Sequence, residues 1–432
     1  MKLTFWLLAA SLLLLGDFGL APQDRLDAGR NPQRPDQGED PRIPDARNAP
    51  AGVKIKGNQI QVGFPTAAQN PETAWKIDWK VDRRYGLIVQ QAWFQREGEW
   101  IKVLGDSRIA EIHVPYYKSK TYYFDISDNT TKSVAVNDDI ARPGKNLENK
   151  AVLEVRDNGI MWMRQDKVGK KDVPRLRRSE EIVLWAPLEA GWYLYIVEYR
   201  FRDDGSISFR AGSTGYNSPT EAHVTHMHNT IWRLDIDLGQ PDGMGLVKNT
   251  ARWISHKEPG PGRRVNQDSV VDRLFNNGVE GGMEWKAEEF NHLCIVNEAV
   301  KNQQGNPVSY DVVPMRTGSA RHYQAKEAFT SKDIWVTPFA GEEANGEPKE
   351  LSVIQLPQTV AQGRGIENTD IVVWYLASAL HVPKDEDMLS RNRPGVTMTV
   401  WSGFEMRPRN LFSASPHFDR KGVKAKPVQP PR

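Results

Sequence analysis

Three histidines have the spacing of a metal site. His226 and His228 are separated by one residue, and His381 lies far downstream in the sequence Ala-Leu-His-Val-Pro. Residues two apart on a β-strand point to the same face, so the first pair can present two imidazoles to one ion while the third arrives from another strand. Three neutral imidazoles suit copper or zinc. The pattern therefore favours a transition-metal site, although His-x-His alone also occurs where a strand simply faces solvent.

Three aspartates accompany these histidines at odd sequence separations. Asp235 and Asp237 follow His228 by 7 and 9 residues, and Asp370 precedes His381 by 11. Because side chains alternate between the two faces of a strand, unbroken strands would place the histidines on one face and all three aspartates on the other. This parity predicts a second, oxygen-ligated site for a hard cation, which a β-bulge in either segment would undo. Salt bridges or strand ends are the alternative roles for the aspartates.

The elements that must position these residues are predicted to be strands. Ala74–Asp82 alternates large apolar with charged residues, as a half-buried strand does. Gly191–Phe209 predicts two strands separated by the turn sequence Asp203-Asp204-Gly205. Long capped helices are scarce. We therefore expect a mainly β protein with a largely antiparallel arrangement.

Composition limits the classes of partner. The 432-residue chain is 39% hydrophobic, which is enough for a large core, and its net charge of +2 gives no general attraction to nucleic acid. We expect no nucleic-acid partner. The basic stretch Lys167–Arg178 is predicted to be a solvated loop. Cys294 is the only cysteine of the sequence, which excludes an intrachain disulfide.

The two ends of the chain differ from the rest. Residues 1–21 contain a lysine, a short apolar stretch and then small residues, which is typical of a signal peptide, while Pro22 leaves a retained N-terminal anchor as the alternative. Residues 22–51 are predicted to be a disordered linker and residues 421–432 a basic, proline-rich tail. The sequence therefore predicts an exported protein, periplasmic or extracellular, with no stable membrane span in the mature domain.

Several separated blocks share the pattern of one enzyme family. They resemble the C-terminal catalytic domain of the copper amine oxidases, over about residues 52–420. The resemblance implies a large antiparallel β-sandwich of the copper amine oxidase catalytic-domain type. The blocks are His226–Asp237 with its His-x-His and Arg-Leu-Asp-x-Asp patterns, Ile371–Asp387, Arg108–Tyr116, Tyr123–Asp125, Val197–Ile207 and Thr399–Pro408.

The same resemblance implies two kinds of metal site. Copper would be held by the three histidines that match the family's copper ligands, His226, His228 and His381. The three aspartates match the family's peripheral second site, which suits calcium or a similar hard ion: Asp235, Asp237 and Asp370. The resemblance also implies a homodimer.

The organic cofactor and the catalytic groups are likewise implied by the resemblance. Tyr193 matches the tyrosine that the family converts into topaquinone, and Asp125 matches the carboxylate that removes a substrate proton. Tyr116 matches the tyrosine that holds the cofactor ring. The implied activity is oxidation of a primary amine by O2 to an aldehyde, ammonia and hydrogen peroxide.

The chain departs from the family beside the cofactor tyrosine. The family motif is Asn-Tyr-Asp/Glu, whereas here Trp192 and Leu194 flank Tyr193. Two other interpretations therefore stay open. One is a non-catalytic copper-binding protein of the same fold that lacks the quinone, and the other is a different modified or radical tyrosine that acts on a substrate other than an amine.

Overall fold

The computed structural model describes most of the chain after its N-terminal segment. The described residues are 52–117, 119–168, 170–239, 247–256, 270–315, 327–344, 347–349, 352–390 and 393–414. The predicted signal peptide, the linker and the basic tail lie outside them. From residue 52 onward the described residues belong to one compact unit. Among the helices that the structure describes, none is long and apolar enough to cross a membrane.

Strands dominate the described part of the chain. They are β1 Val53–Lys56, β2 Gln59–Phe64, β3 Thr73–Asp82, β4 Gly86–Arg96, β5 Glu99–Pro115, β6 Tyr122–Phe124, β7 Thr131–Ser133, β8 Lys145–Leu147, β9 Ala151–Val168, β10 Lys171–Ala190, β11 Tyr193–Arg202, β12 Ile207–Tyr216, β13 His226–Gly239, β14 Thr250–His256, β15 Val270–Leu274, β16 Gly281–Met283, β17 His292–Lys301, β18 Pro307–Pro314, β19 Ile334–Pro338, β20 Ile371–His381, β21 Met388–Ser390, β22 Arg393–Pro394 and β23 Val396–Arg409. Two short helices, α1 Asp138–Ala141 and α2 Leu356–Thr359, and several single 3₁₀ turns complete them.

Two large antiparallel sheets form a sandwich. The first has the strand order β1-β2-β3-β4-β5-β13-β20-β19-β16, and the second has the order β15-β14-β17-β18-β23-β12-β11-β10-β9-β8. Their inner faces share one apolar core, in which Trp232 of the first sheet packs edge-on against Tyr199 of the second, with ring centroids 5.5 Å apart. Tyr375 and Phe404 stack across the sheets at 4.0 Å. The predicted fold class is confirmed.

The strand patterns explain this layering. In β3 every second residue from Trp75 to Trp79 is fully or almost fully buried, as the alternation in the sequence predicts. The predicted hairpin also forms, and residues 203–206 connect β11 to β12. Within this turn Gly205 has a φ of 89°, a conformation that favours glycine. The expected loop at Lys167–Arg178 is wrong, since most of that stretch belongs to the long antiparallel hairpin of β9 and β10.

The central strands β13 and β20 are buried on both faces. Their inner face meets the second sheet, and their outer face is covered by the segment around α2, where Trp374 packs in a smaller apolar cluster with Phe329 and Leu356. The two strands pair without any shift in register, and His226 lies opposite His381. The two strands are therefore unbroken with respect to each other from His226 to Ile236, which meets the condition of the parity argument there, while the pairing of β13 with β5 shifts between Ile236 and Gly239.

Candidate metal and cofactor site

The three predicted copper ligands meet between the two sheets. His226 and His228 begin β13 and His381 ends β20, and each is at most 3% exposed. One nitrogen of each imidazole lies within 4.8 Å of the corresponding nitrogens of the other two. His381 Nδ1 is 3.2 Å from His226 Nε2. Two nitrogens that each lie about 2 Å from one metal ion are separated by about this distance.

Hydrogen bonds at the far side of each ring define the tautomers. His226 Nδ1 lies 2.8 Å from the Val224 carbonyl oxygen, which can only accept, so Nδ1 carries the proton and Nε2 faces the site with a lone pair. His381 Nε2 lies 3.0 Å from a carboxylate oxygen of Asp387, so Nε2 carries a proton and Nδ1 is the nitrogen that faces the site. His228 Nδ1 pairs with the Tyr195 hydroxyl at 2.8 Å, so its Nε2 is the candidate ligand atom.

The electrostatics suit a cation. Burial lowers the pKa of His226 to about 4 and lowers the pKa of His228 well below its usual range. Both rings are therefore neutral at neutral pH. His226 Nε2 and His381 Nδ1 lie 3.2 Å apart, a separation that suits two ligand atoms of one metal ion. The donor set and its geometry fit copper.

Asp387 is a part of this site that the sequence argument did not identify. It is fully buried, and its Oδ2 accepts from His381 Nε2 at 3.0 Å and from the Lys384 backbone amide at 3.1 Å. A carboxylate behind a metal-binding imidazole fixes the ring and makes its other nitrogen a better donor. The short spacing His381-x₅-Asp387 could have suggested this role.

Tyr193, the predicted topaquinone precursor, lies directly at the histidines. It starts β11 in the opposite sheet and is 5% exposed. Its hydroxyl is 2.8 Å from His226 Nε2, and it donates to Asn217 Oδ1 at 2.7 Å. Burial, reinforced by the nearby Tyr116, raises the pKa of Tyr193 above its usual range. The phenol therefore stays protonated until a metal or a base acts on it.

Tyr116 packs on the other side of the histidine group. Its ring stacks on His226, with centroids 4.4 Å apart and planes inclined by 22°. Burial raises its pKa, while a hydrogen bond with Tyr193 opposes that increase. The structure thus brings Tyr116 into contact with both the candidate ligand and the candidate cofactor residue.

Asp125, the predicted base, lies in a buried turn after β6. Burial raises its pKa to about 7, although Thr130 donates to its side chain at 3.2 Å and opposes the shift. Its charge also contributes to the raised pKa values of Tyr116 and Tyr195, which places these groups in one electrostatic environment. A carboxyl group with a pKa near 7 is suited to proton transfer.

Glu111 holds the turn that carries Asp125. Its carboxylate is 1% exposed and accepts from the backbone amides of Ile112 and Ile126, at 2.9 and 3.0 Å, and from the Ser127 hydroxyl. The bonds from Ile126 and Ser127 connect β5 to the two residues that follow the base. The sequence argument did not identify Glu111, because its contacts with Ile126 and Ser127 join two segments that no spacing rule connects.

The two residues that depart from the family motif, Trp192 and Leu194, differ in their exposure. Trp192 is 56% exposed, whereas Leu194 is half-buried in β11 opposite Glu189. Neither side chain can supply an amide or a carboxylate. The polar contacts of the Tyr193 hydroxyl come instead from Asn217 and His226.

The three aspartates gather on the outer face of the first sheet, as the parity argument predicts. One carboxylate oxygen from each of Asp235, Asp237 and Asp370 lies within 4.8 Å of the others. Burial first, and then the charge of Asp237, raises the pKa of Asp235 well above its usual range and that of Asp370 to about 7. Asp235 Oδ1 is buried without a hydrogen-bond partner. Such oxygens fit a hard cation.

A lysine shares this second cluster. Lys102 Nζ lies 2.6 Å from Asp237 Oδ2, and Arg233 lies 3.6 Å from Asp235 Oδ2. The cluster is therefore partly neutralised by the protein itself. A cation there would compete with Lys102 for Asp237.

The chain is similar to copper amine oxidases along much of its length. The sequence model of the copper amine oxidase enzyme domain matches residues 145–426. A peroxisomal copper-containing amine oxidase, alpha 2, from Arabidopsis thaliana is 25% identical over 82% of this chain and 59% of its own length. The histamine oxidase of Arthrobacter globiformis is 26% identical over 79% of this chain and 55% of its own length.

Solved structures show the same fold. The copper-containing benzylamine oxidase from Hansenula polymorpha superposes with a TM-score of 0.61 at 18% identity, covering 84% of this chain and 62% of that protein. The amine oxidase of Aspergillus nidulans gives 0.60 at 16% identity, over 90% and 56%. The likeness shows that this chain has the fold of these two amine oxidases.

Because the family's enzyme-domain model matches more than half of the sequence, the chain belongs to the copper amine oxidase family. It spans between 55% and 59% of the length of the curated relatives described above.

Proposed function

We propose that the protein is an exported, copper- and quinone-dependent oxidase of primary amines. In the overall reaction one amine, one O2 and one water give one aldehyde, one ammonia and one hydrogen peroxide. The observation that carries the proposal is the Tyr193 hydroxyl, which lies 2.8 Å from His226 Nε2 within a buried group of three imidazoles. The names of the relatives, which include a histamine oxidase, support a primary amine as the substrate class.

In this proposal each residue of the site would have a separate role. Bound copper and a quinone made from Tyr193 would supply the two-electron oxidation of the amine. Asp125 would remove a proton from the carbon beside the amine nitrogen, and its pKa of about 7 makes it an effective base near neutral pH. Tyr116 would hold the cofactor ring, and Asp387 would orient His381.

The first test is reconstitution with copper. Apoprotein is mixed with Cu(II) under air, and the visible spectrum is recorded with and without phenylhydrazine, followed by mass analysis of the peptide that contains Tyr193. We expect a quinone band that shifts with the hydrazine, and a mass increase on Tyr193. The Tyr193→Phe variant, which lacks the reacting phenol, should bind copper and show neither signal.

The alternative is a copper-binding protein without the quinone. It is favoured by the apolar neighbours of Tyr193, because Trp192 and Leu194 provide neither the amide nor the carboxylate of the family motif. In that case copper would bind stoichiometrically while Tyr193 stays unmodified and phenylhydrazine changes nothing. This result would contradict the oxidase proposal.

Three further properties belong to the proposal. Export is supported by the sequence of residues 1–21, and the mature N-terminus of secreted protein would test it. A homodimer is supported by family membership, and light scattering of the purified protein would measure it. Calcium at the aspartate cluster is supported by the convergence of three carboxylates.

A further inference from the structure

Asn217 is a buried amide with a defined orientation beside the candidate metal site. It follows β12 and is fully buried. Its Nδ2 donates to the Ala222 carbonyl oxygen at 3.2 Å, and its Oδ1 accepts from the hydroxyls of Tyr193 and Thr397, at 2.7 and 3.3 Å. A carbonyl oxygen can only accept, so the NH₂ group must face Ala222. The amide oxygen therefore faces Tyr193.

The Tyr193 hydroxyl has one proton, and besides its hydrogen bond with Tyr116 it lies within bonding distance of two further acceptors. Asn217 Oδ1 lies at 2.7 Å and His226 Nε2 at 2.8 Å. His226 Nδ1 already donates to the Val224 carbonyl, so Nε2 of the neutral ring carries a lone pair. The phenol can donate to only one of these acceptors at a time.

Metal binding decides between the two acceptors. An ion on His226 uses the Nε2 lone pair, which is then closed to the phenol. Tyr193 is 5% exposed, so its hydroxyl has little access to water as a replacement. A buried donor without an acceptor is costly, and Asn217 Oδ1 is the acceptor in place.

We propose that Asn217 accepts the phenolic hydrogen bond of Tyr193 when a metal binds His226, and thereby keeps His226 Nε2 open to the metal. Asn217 is a positioning residue, because it acts on the metal site through Tyr193. The inference rests on the histidine metal site of the proposed function, but it does not require the quinone.

Zinc affinity in a double-mutant cycle tests this role. Zinc has no redox chemistry and so leaves Tyr193 unoxidised. In the full chain, Asn217→Leu removes the acceptor and keeps the branching of the side chain, and we expect zinc affinity to fall about tenfold, which corresponds to about 1.4 kcal/mol. With Tyr193→Phe there is no phenolic proton to place. Adding N217L to Y193F should therefore leave zinc affinity within about twofold of that of Y193F alone, because the cycle isolates the coupling.

Two further variants separate this role from damage to the fold. Asn217→Asp in its neutral form can accept from Tyr193 and donate to Ala222, so it should restore most of the affinity. Asn297→Leu removes another buried amide, which bonds the backbone of Leu238 at the far end of β13. That position is 12 residues from His226, or about 40 Å along the strand. Asn297→Leu should lower the melting temperature without changing zinc affinity.

Several results would overturn the inference. One is an unchanged zinc affinity in N217L. Another is a loss of zinc affinity on Asn217→Leu that is equally large with and without the Y193F substitution, because an equal loss would indicate a merely structural role for Asn217. A wild-type protein that binds zinc but forms no quinone with copper would contradict the oxidase proposal alone, and the zinc cycle would still decide the role of Asn217. A wild-type protein that binds neither ion would overturn both.

Discussion

At the scale of single residues, the site depends on what lies behind each reactive group. His381 is oriented by Asp387, His226 by the Val224 carbonyl and His228 by Tyr195. These contacts decide which ring nitrogen is available, which the residue type alone does not.

The Asp387 carboxylate should strengthen metal binding. Replacing it in Asp387→Asn keeps the size but removes the charge behind His381, and we expect copper affinity to fall by about tenfold to a hundredfold. Competition with a chelator at fixed pH would measure it. Asp385→Asn is a suitable control, because Asp385 is exposed and two residues away. Equal affinities for D387N and wild type would show that the carboxylate does not support the ligand.

Asp125 should give the proposed oxidase a characteristic pH dependence. Burial raises its pKa to about 7, so the ionised base becomes more populated as pH rises through 7, and kcat should rise with it. Asp125→Asn should lower kcat by at least about a hundredfold while copper stays bound. Steady-state kinetics from pH 5 to 9 would show both effects. The exposed neighbour Asp128, changed to Asn, should retain most of the activity, and a flat wild-type profile would argue against Asp125 as the base.

At the scale of elements, two strands carry both candidate metal sites. The paired strands β13 and β20 present three histidines inward and, with the residue just before β20, three aspartates outward. The neighbouring strand β5 must approach the aspartates closely, and Gly105 makes this possible. A Cβ atom at Gly105 would lie 2.5 Å from Asp237 Oδ2.

Gly105→Ala should therefore affect the outer site and spare the inner one. The added methyl group must displace Asp237, so we expect calcium affinity to fall by about tenfold or more. Copper affinity should stay within about twofold, because the histidines lie on the opposite face of the sheet. Parallel titrations of both metals would separate the effects. A similar loss of both would mean that the substitution distorts the sheet as a whole.

At the scale of the whole molecule, a cation bound at the second cluster would add to the stability of the sandwich. The cluster's three carboxylates lie close together. Among the described residues, only Lys102 and Arg233 form ion pairs with them. Removing their mutual repulsion should stabilise the central strands. The histidine site, by contrast, is closed only when the second sheet supplies Tyr193.

Calcium should raise the melting temperature of the copper-loaded protein. A ligand that binds only the folded state at a hundred times its Kd stabilises it by about 2.7 kcal/mol, which should raise the melting temperature by several degrees. Calorimetry with calcium and with a calcium chelator would measure the difference. The Asp235→Asn variant should lose the response. An unchanged wild-type melting temperature would indicate that Lys102 and Arg233 already satisfy the cluster.

Residue patterns were enough to predict a mainly antiparallel β fold and the two groups of candidate metal ligands. Strand alternation is a local geometric rule, so the spacing of His226, His228 and the aspartates predicted their faces once β13 and β20 proved unbroken. The position of Tyr193 came from a family motif. The same local rules did not reveal that Lys167–Arg178 extends a hairpin, because charged residues are compatible with both a loop and an exposed strand.

The groups that support these residues became identifiable only in the folded protein. Asn217, Glu111 and Lys102 act through contacts between segments that are distant in sequence, and no spacing rule links them to their partners. Asp387 is close to its histidine in sequence, yet only the path of the chain after β20 returns its carboxylate to the ring. A side chain's chemistry depends on burial and on the partners that packing brings to it, and both are properties of the folded sandwich.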